Sequence, residues 1–235
     1  MLIEVYGLAL GKSLLFSLAA LLPILNPTAT APIFLSLTEG ASNSTREVLA
    51  GKIARNVFLL LFAAMLIGSV VLDFFGISLS IVRVGGGLLV VSSAWRLLNS
   101  NDGGAERSAR LAEGFTPEMV NRTAFYPLTF PIACGPGSIA AAITVGASLH
   151  DQTSLVISIT RISGAVAGLA VVAASVLLCF RYAQQLLRLL GDTGTVVFLR
   201  LSAFILLCLG VQIVWDGASE LLTTVLRDAQ LPPTH

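Results

Sequence analysis

The sequence predicts an all-α membrane protein whose six transmembrane helices form a 3+3 inverted-topology repeat, with helices 1 and 4 discontinuous at proline-containing breaks. Composition is the first reason. Of 235 residues, 55% are hydrophobic and 11% charged, whereas an ordinary soluble domain carries about 25% charged residues. The mean hydropathy is +0.88, and surface this apolar needs lipid around it. Length is the second reason: a bilayer core of about 30 Å takes about 20 helical residues. Apolar runs of that length recur near 7–38, 52–73, 77–98, 123–149, 155–180 and 195–225, which leaves no room for a soluble domain. The third reason is the prolines in the middle of the first and fourth runs.

The first run imitates a secretory signal, since Lys12 precedes it and Ala29-Thr30-Ala31 has the spacing of a cleavage site. Pro32 directly after the cut disfavours processing, and five more spans follow, so the segment is expected to stay in the mature protein. Residues 1–98 then form the first three-helix repeat. Asn99 to Arg122, with Asn101-Asp102-Gly103-Gly104 and no helical apolar face, reads as a flexible linker. Residues 123–226 form the second repeat and 227–235 a C-terminal tail. Arg46 and Lys52, then Arg96, Arg107, Arg110 and Arg122, then Arg181 and Arg188 fall in alternate loops, whereas the other side keeps Lys12 and Arg227. The positive-inside rule makes the linker cytoplasmic and both termini periplasmic, in a multi-pass protein of a bacterial inner membrane.

The halves share landmarks in the same order. Pro23-Ile24 leads to Asn26-Pro27 in one, and Pro131-Ile132 to Gly135-Pro136 in the other; Arg55 and Arg161 open the second spans, Arg83 and Arg200 the third. Because each half crosses an odd number of times, two copies in sequence lie upside down relative to each other.

Proline lacks an N–H and its ring clashes with the carbonyl four residues back, so Pro27 and Pro32, like Pro127, Pro131 and Pro136, interrupt helical hydrogen bonding inside a span. Unpaired backbone survives in hydrocarbon only when buried in protein or facing a wet cavity. The restarting half-helix offers N–H groups to an anion and the ending one offers carbonyls to a cation, a combination that suits a zwitterion. Asn26, Pro27, Thr28 and Thr30 at the first break, and Gly135, Pro136, Gly137 and Ser138 at the second, are the candidate substrate-binding residues; none carries charge. The plainer reading is that the prolines only kink the helices and neighbouring Ser and Thr mend the freed carbonyls. Arg55, Arg83, Arg161 and Arg200 have two readings as well: snorkelling to lipid phosphates, or gating and vestibule duty in which they hold carbonyl ends or draw in an anionic group. Asp73, Asp192, Asp216 and Glu220 are the acidic residues near spans. Gly85-Gly86-Gly87 and Gly164-x-x-x-Gly168 suit close helix contacts, either within one chain or between copies in a homo-oligomer.

Several classes fall away. A net charge of +1 gives no basic field for nucleic acid. Cys134, Cys179 and Cys208 lie in apolar stretches without metal-ligand spacing, so no metal or other cofactor is expected. An enzyme is not expected either: no His-Glu-x-x-His or Gly-x-Ser-x-Gly is present, and Leu189-Leu190-Gly191-Asp192 lacks the first glycine of the intramembrane aspartyl-protease motif. His150 and His235 fall outside the predicted core.

The stretches Asn26 to Thr38, Phe75-Gly76-Ile77-Ser78, Arg83-Val84-Gly85-Gly86-Gly87 and Gly135-Pro136-Gly137-Ser138-Ile139 together resemble the MarC family of integral membrane proteins, over nearly the whole chain. Many relatives have an acidic residue at the position of Asn26, so its amide removes a proton carrier; Cys134 stands where relatives usually have alanine. The family name refers to a multiple-antibiotic-resistance locus, while archaeal relatives are associated with transport of small neutral amino acids. The resemblance therefore implies a secondary transporter, or exporter, of small neutral amino acids working by alternating access, with a small-molecule solute and membrane lipid as partners. Multidrug efflux is the first alternative; aromatics at 7% argue against a large aromatic pocket. A membrane scaffold without transport is the second.

Overall fold

A computed structural model describes residues 2–38, 41–99, 122–149 and 154–230. Among the described residues eight helical segments follow one another: α1 (Leu2–Leu25), α2 (Pro27–Leu37), α3 (Asn43–Phe74), α4 (Leu79–Asn99), α5 (Ala124–Ala133), α6 (Pro136–Ser148), α7 (Leu155–Arg181) and α8 (Ala183–Gln230). Most of the predicted linker, residues 100–121, lies outside the described residues, as do His150 and His235.

Among the described residues four helical runs are long and apolar enough to cross a membrane: Tyr6–Leu35, Asn43–Phe74, Leu155–Arg181 and Val196–Arg227. The pair α5 and α6, bent by 72° at its break, makes a fifth if counted as one span. The remaining expected crossing, 77–98, corresponds to the α4 helix, Leu79–Asn99, which carries three glycines together with Arg83 and Arg96. Most residues of each span face outward, among them Leu59, Val70, Leu88, Val171, Phe204 and Val211. In water so large an apolar surface would be anomalous; it is the surface a bilayer wets.

Local chemistry sets the element ends. The Ser42 hydroxyl caps α3 by accepting the Thr45 N–H at 3.1 Å. At the other end Gly76 takes φ +66, and Ile77 N–H reaches the Leu72 carbonyl at 2.9 Å while Gly76 N–H reaches Asp73 at 3.0 Å. That pair of bonds closes a Schellman turn, and the left-handed residue it requires explains the glycine. The stretch expected as a loop with Arg181 and Arg188 is largely helical: α8 begins at Ala183 and is broken by Gly191 at φ 66 and ψ 178, before the long apolar part.

The main core lies between the end of α1 and α2, α3, α5, α6 and α7, centred on Leu21, Phe34, Ile53, Leu128, Val172 and Phe180. Helices pair across the two halves of the sequence: α1 packs on α7, α5 and α6 pack on α3, and α4 packs on α8. Glycines permit the closest approaches. A methyl group on Gly164 would strike the Leu10 carbonyl, and one on Gly168 would come within 2.7 Å of the Leu14 oxygen. Gly87 and Gly210 face each other in the same manner across α4 and α8, 2.9 Å from a Gly87 methyl to the Gly210 oxygen. The glycine stripes thus serve contacts within one chain.

Candidate functional site

Both predicted breaks exist, and each has a local cause. Pro27 cannot give an N–H to Pro23, so α1 ends at Leu25 and α2 restarts at Pro27. Asn26 between them takes φ +41, a left-handed value that asparagine tolerates better than most side chains. Its Oδ1 then accepts from the Ala29 N–H at 3.3 Å and the Thr28 hydroxyl at 3.1 Å. The Thr30 hydroxyl donates back to the carbonyls of Asn26 and Pro27, each at 3.2 Å.

The second break is built differently. Tyr126 and Phe130, each before a proline, are extended, as steric clash with the proline ring demands. The intervening turns are wide, with Cys134 N–H bonded to the Thr129 carbonyl five residues back at 2.8 Å. Cys134 and Gly135 are extended, and α6 starts at Pro136 with no side chain capping its first turn. Thr129, fully buried, donates to the Ala124 carbonyl at 2.6 Å and receives the Asn56 amide at 3.5 Å.

The two breaks meet. Asn26 and Thr30 from one, and Gly135, Pro136, Gly137 and Ser138 from the other, line a single cavity of about 90 Å³. Pro27 and Thr28 stand behind that lining, Pro27 buried as the first residue of α2 and Thr28 held on the Asn26 amide. Leu89, Val90 and Ser93 of α4 and Leu206 of α8 complete the wall. Sequence reasoning did not find Ser93, since nothing about a serine late in the third span marks it.

A larger hollow of about 440 Å³ adjoins this cavity. Along every helix that borders both, the hollow precedes or follows the cavity in one consistent direction. On α4 it is reached at Arg83 and the cavity at Leu89; on α6 the cavity is at Pro136 and the hollow at Ala140 and Thr144; on α8 the cavity is at Leu206 and the hollow at Gln212 and Asp216. Ile24 borders both. The hollow is mostly apolar, but Arg83, Gln212 and Asp216 line it too. Arg83 Nη1 donates to Glu220 at 2.6 Å, and Gln212 donates to Asp216 Oδ1 at 2.7 Å.

Beyond the cavity on the α2 side the chain is closed. Phe34, one turn past Thr30, stacks on Phe180 of α7 with centroids 4.7 Å apart and planes 14° from parallel; both are buried. Above that stack, Arg46 holds the end of α2, donating from Nη2 to the Thr38 carbonyl at 2.9 Å. Arg181 pairs with Glu47 at 3.5 Å. A carbonyl end is thus held by Arg46, which is not among the four singled out. Of those, Arg83 lines the hollow; Arg55 and Arg200 are exposed on α3 and α8, and Arg161 is half-buried on α7.

Comparison with known proteins agrees over the same chain. The family described as MarC family integral membrane protein matches residues 11–222. This chain belongs to the MarC family. A membrane protein of Archaeoglobus fulgidus is 33% identical over 209 residues, 89% of this chain and 93% of its own length. The inner membrane protein MarC of Salmonella typhimurium is 30% identical over 219 residues, covering 92% of this chain and 98% of that protein. The namesake protein of Escherichia coli O1:K1 is 29% identical over the same length. No solved structure matches. The chain is therefore an integral membrane protein of the MarC family.

Proposed function

We propose that this MarC family protein is a secondary transporter of small neutral amino acids in a bacterial inner membrane, working by alternating access at the cavity where the two helix breaks meet. One observation carries the reading: the breaks of two interrupted helices from opposite halves of the sequence line the same small space, with Asn26, Thr30, Ser93 and Ser138 among its walls. At about 90 Å³ it holds a few water molecules and favours a small solute. Drug-sized ligands occupy pockets of about 300–1,000 Å³. The uncapped start of α6 suits a carboxylate, and the carbonyls ending α1 and α5 suit an ammonium group.

The inverted-repeat plan is supported by the cross-packing, in which α1 meets α7 as α5 and α6 meet α3. With the termini outward, as the arginine and lysine bias predicts, the hollow opens to the periplasm and the Phe34–Phe180 stack seals the cytoplasmic end. That arrangement corresponds to one of the two states that alternating access requires.

Proteoliposomes holding the purified protein are expected to take up or exchange labelled alanine, glycine or serine. No uptake and no counterflow in either direction, with or without proton and sodium gradients, would remove the proposal. Multidrug efflux is the second reading, favoured by the size of the outer hollow. Unchanged drug susceptibility on deletion and on overexpression would dismiss it.

A further inference from the structure

The 440 Å³ hollow places one guanidinium and one carboxylate from different helices on a common apolar-walled space. Arg83 comes from α4 and Asp216 from α8, where the two helices lie close. A methyl group on Gly217, the residue after Asp216, would lie 3.0 Å from Arg83 Cβ. Neither group is used up. Glu220 occupies Arg83 Nη1, and a guanidinium has five N–H donors in all. Gln212 donates to Oδ1 of Asp216, and a carboxylate has about four acceptor positions. The rest of the wall includes Phe16, Ala19, Leu209 and Ile213, which offer nothing polar to a ligand's side chain.

We propose that this hollow is a second, outer binding site for α-amino-acid zwitterions, with Arg83 receiving the carboxylate, Asp216 the ammonium group and the apolar wall the side chain. The pair of opposite charges fits a ligand that carries both, because each end then finds a charge-assisted hydrogen bond. A ligand with one charge leaves one protein group without a partner. Arg83, Asp216 and Glu220 together carry one net negative charge, so the ammonium end is drawn in first. The volume matters as much as the charge. The outer hollow is several times larger than the break cavity, so it accepts side chains the inner one excludes. Leucine is expected to bind here and to go no further, competing with alanine for entry without being carried. This rests on the transport reading only for what lies beyond the hollow; binding itself does not depend on transport.

The test uses the purified full-length protein with labelled leucine, and propionate and butylamine as ligands bearing one charge each. Wild type is expected to bind leucine, and each one-charge ligand about tenfold or more weakly. Asp216→Asn keeps the oxygen that accepts from Gln212 and so keeps the fold; it is expected to lose leucine binding by about tenfold or more, and Asp216→Glu to restore most of it. Arg83→Gln should lose the preference for leucine over butylamine. In proteoliposomes leucine should inhibit alanine uptake without entering. If wild type does not bind leucine, or Asp216→Asn binds it like wild type while unfolding at the wild-type temperature, the outer site is wrong. If leucine binds as described but no amino acid is transported, the outer site stands and the transport reading falls.

Discussion

The two helix breaks look alike in sequence and are unlike in structure. At the first, a single residue, Asn26, leaves the helical region, and its side chain turns back to cap α2, so that Tyr6–Leu35 still runs as one span. At the second, Cys134 and Gly135 are both extended, no side chain caps α6, and the span bends by 72°. The first break satisfies itself. At the second the Ser138 N–H turns to the Gly135 carbonyl at 3.0 Å, Pro136 has no N–H, and no side chain meets the Gly137 N–H. Of two sites that proline opens in the same way, the residue before the proline decides which is closed by its own side chain.

Substitutions at four positions break or sharpen that contrast. Phe180→Ala removes the ring on which α2, the self-capped half-helix, is stacked, and is expected to cost about 3–5 kcal/mol by the usual scale for a buried phenylalanine. Thermal unfolding in detergent measures it, and a change under about 1 kcal/mol would mean the stack does not hold α2. Next is Gly137→Val, at the open break. A Cβ there would collide with Val90 Cγ2 and lie 3.3 Å from the Gly86 oxygen, so the branched side chain pushes α6 off α4 at about 1–3 kcal/mol. Alanine uptake should vanish with it.

Asn26→Ala loses both the cap and the tolerance for positive φ, and is expected to destabilise by about 2 kcal/mol, whereas Asn26→Gly loses only the cap and costs less by about 1 kcal/mol. Equal unfolding temperatures for the two variants would show that the left-handed backbone at Asn26 carries no weight. The smallest effect is the most pointed. Gly135→Ser gives α6 the cap it lacks, and a Cβ at Gly135 meets only the Pro131 oxygen at 3.4 Å. Stability should rise by a few tenths of a kcal/mol, while alanine affinity falls because the new hydroxyl takes the ligand's donors. Tighter alanine binding in this variant would contradict the open-donor account.

What the sequence disclosed follows from how local each feature is. Prolines act on the residue before them and the carbonyl four back, so both breaks were readable at Asn26-Pro27 and Gly135-Pro136. Apolar runs gave the long helices for the same reason. That the breaks share one cavity was not readable, because it depends on how α1, α4 and α6 pack. Arg83 finds Glu220 at a separation of 137 residues, and no spacing rule reaches that far. The partner of the Gly164 and Gly168 face was open until α1 was seen against it. Arg46 reads in the sequence as a plain loop charge, and only the turn of chain after α2 brings it onto the Thr38 carbonyl.

The seating of α1 against Gly164 and Gly168 has a consequence for biogenesis. Helix α1 rests on a surface that is translated only after α2 to α6 have followed it. Until residue 168 emerges, α1 must wait in lipid, or in the care of the insertion machinery, with its contact face bare. The two halves of this protein therefore cannot mature as independent folding units.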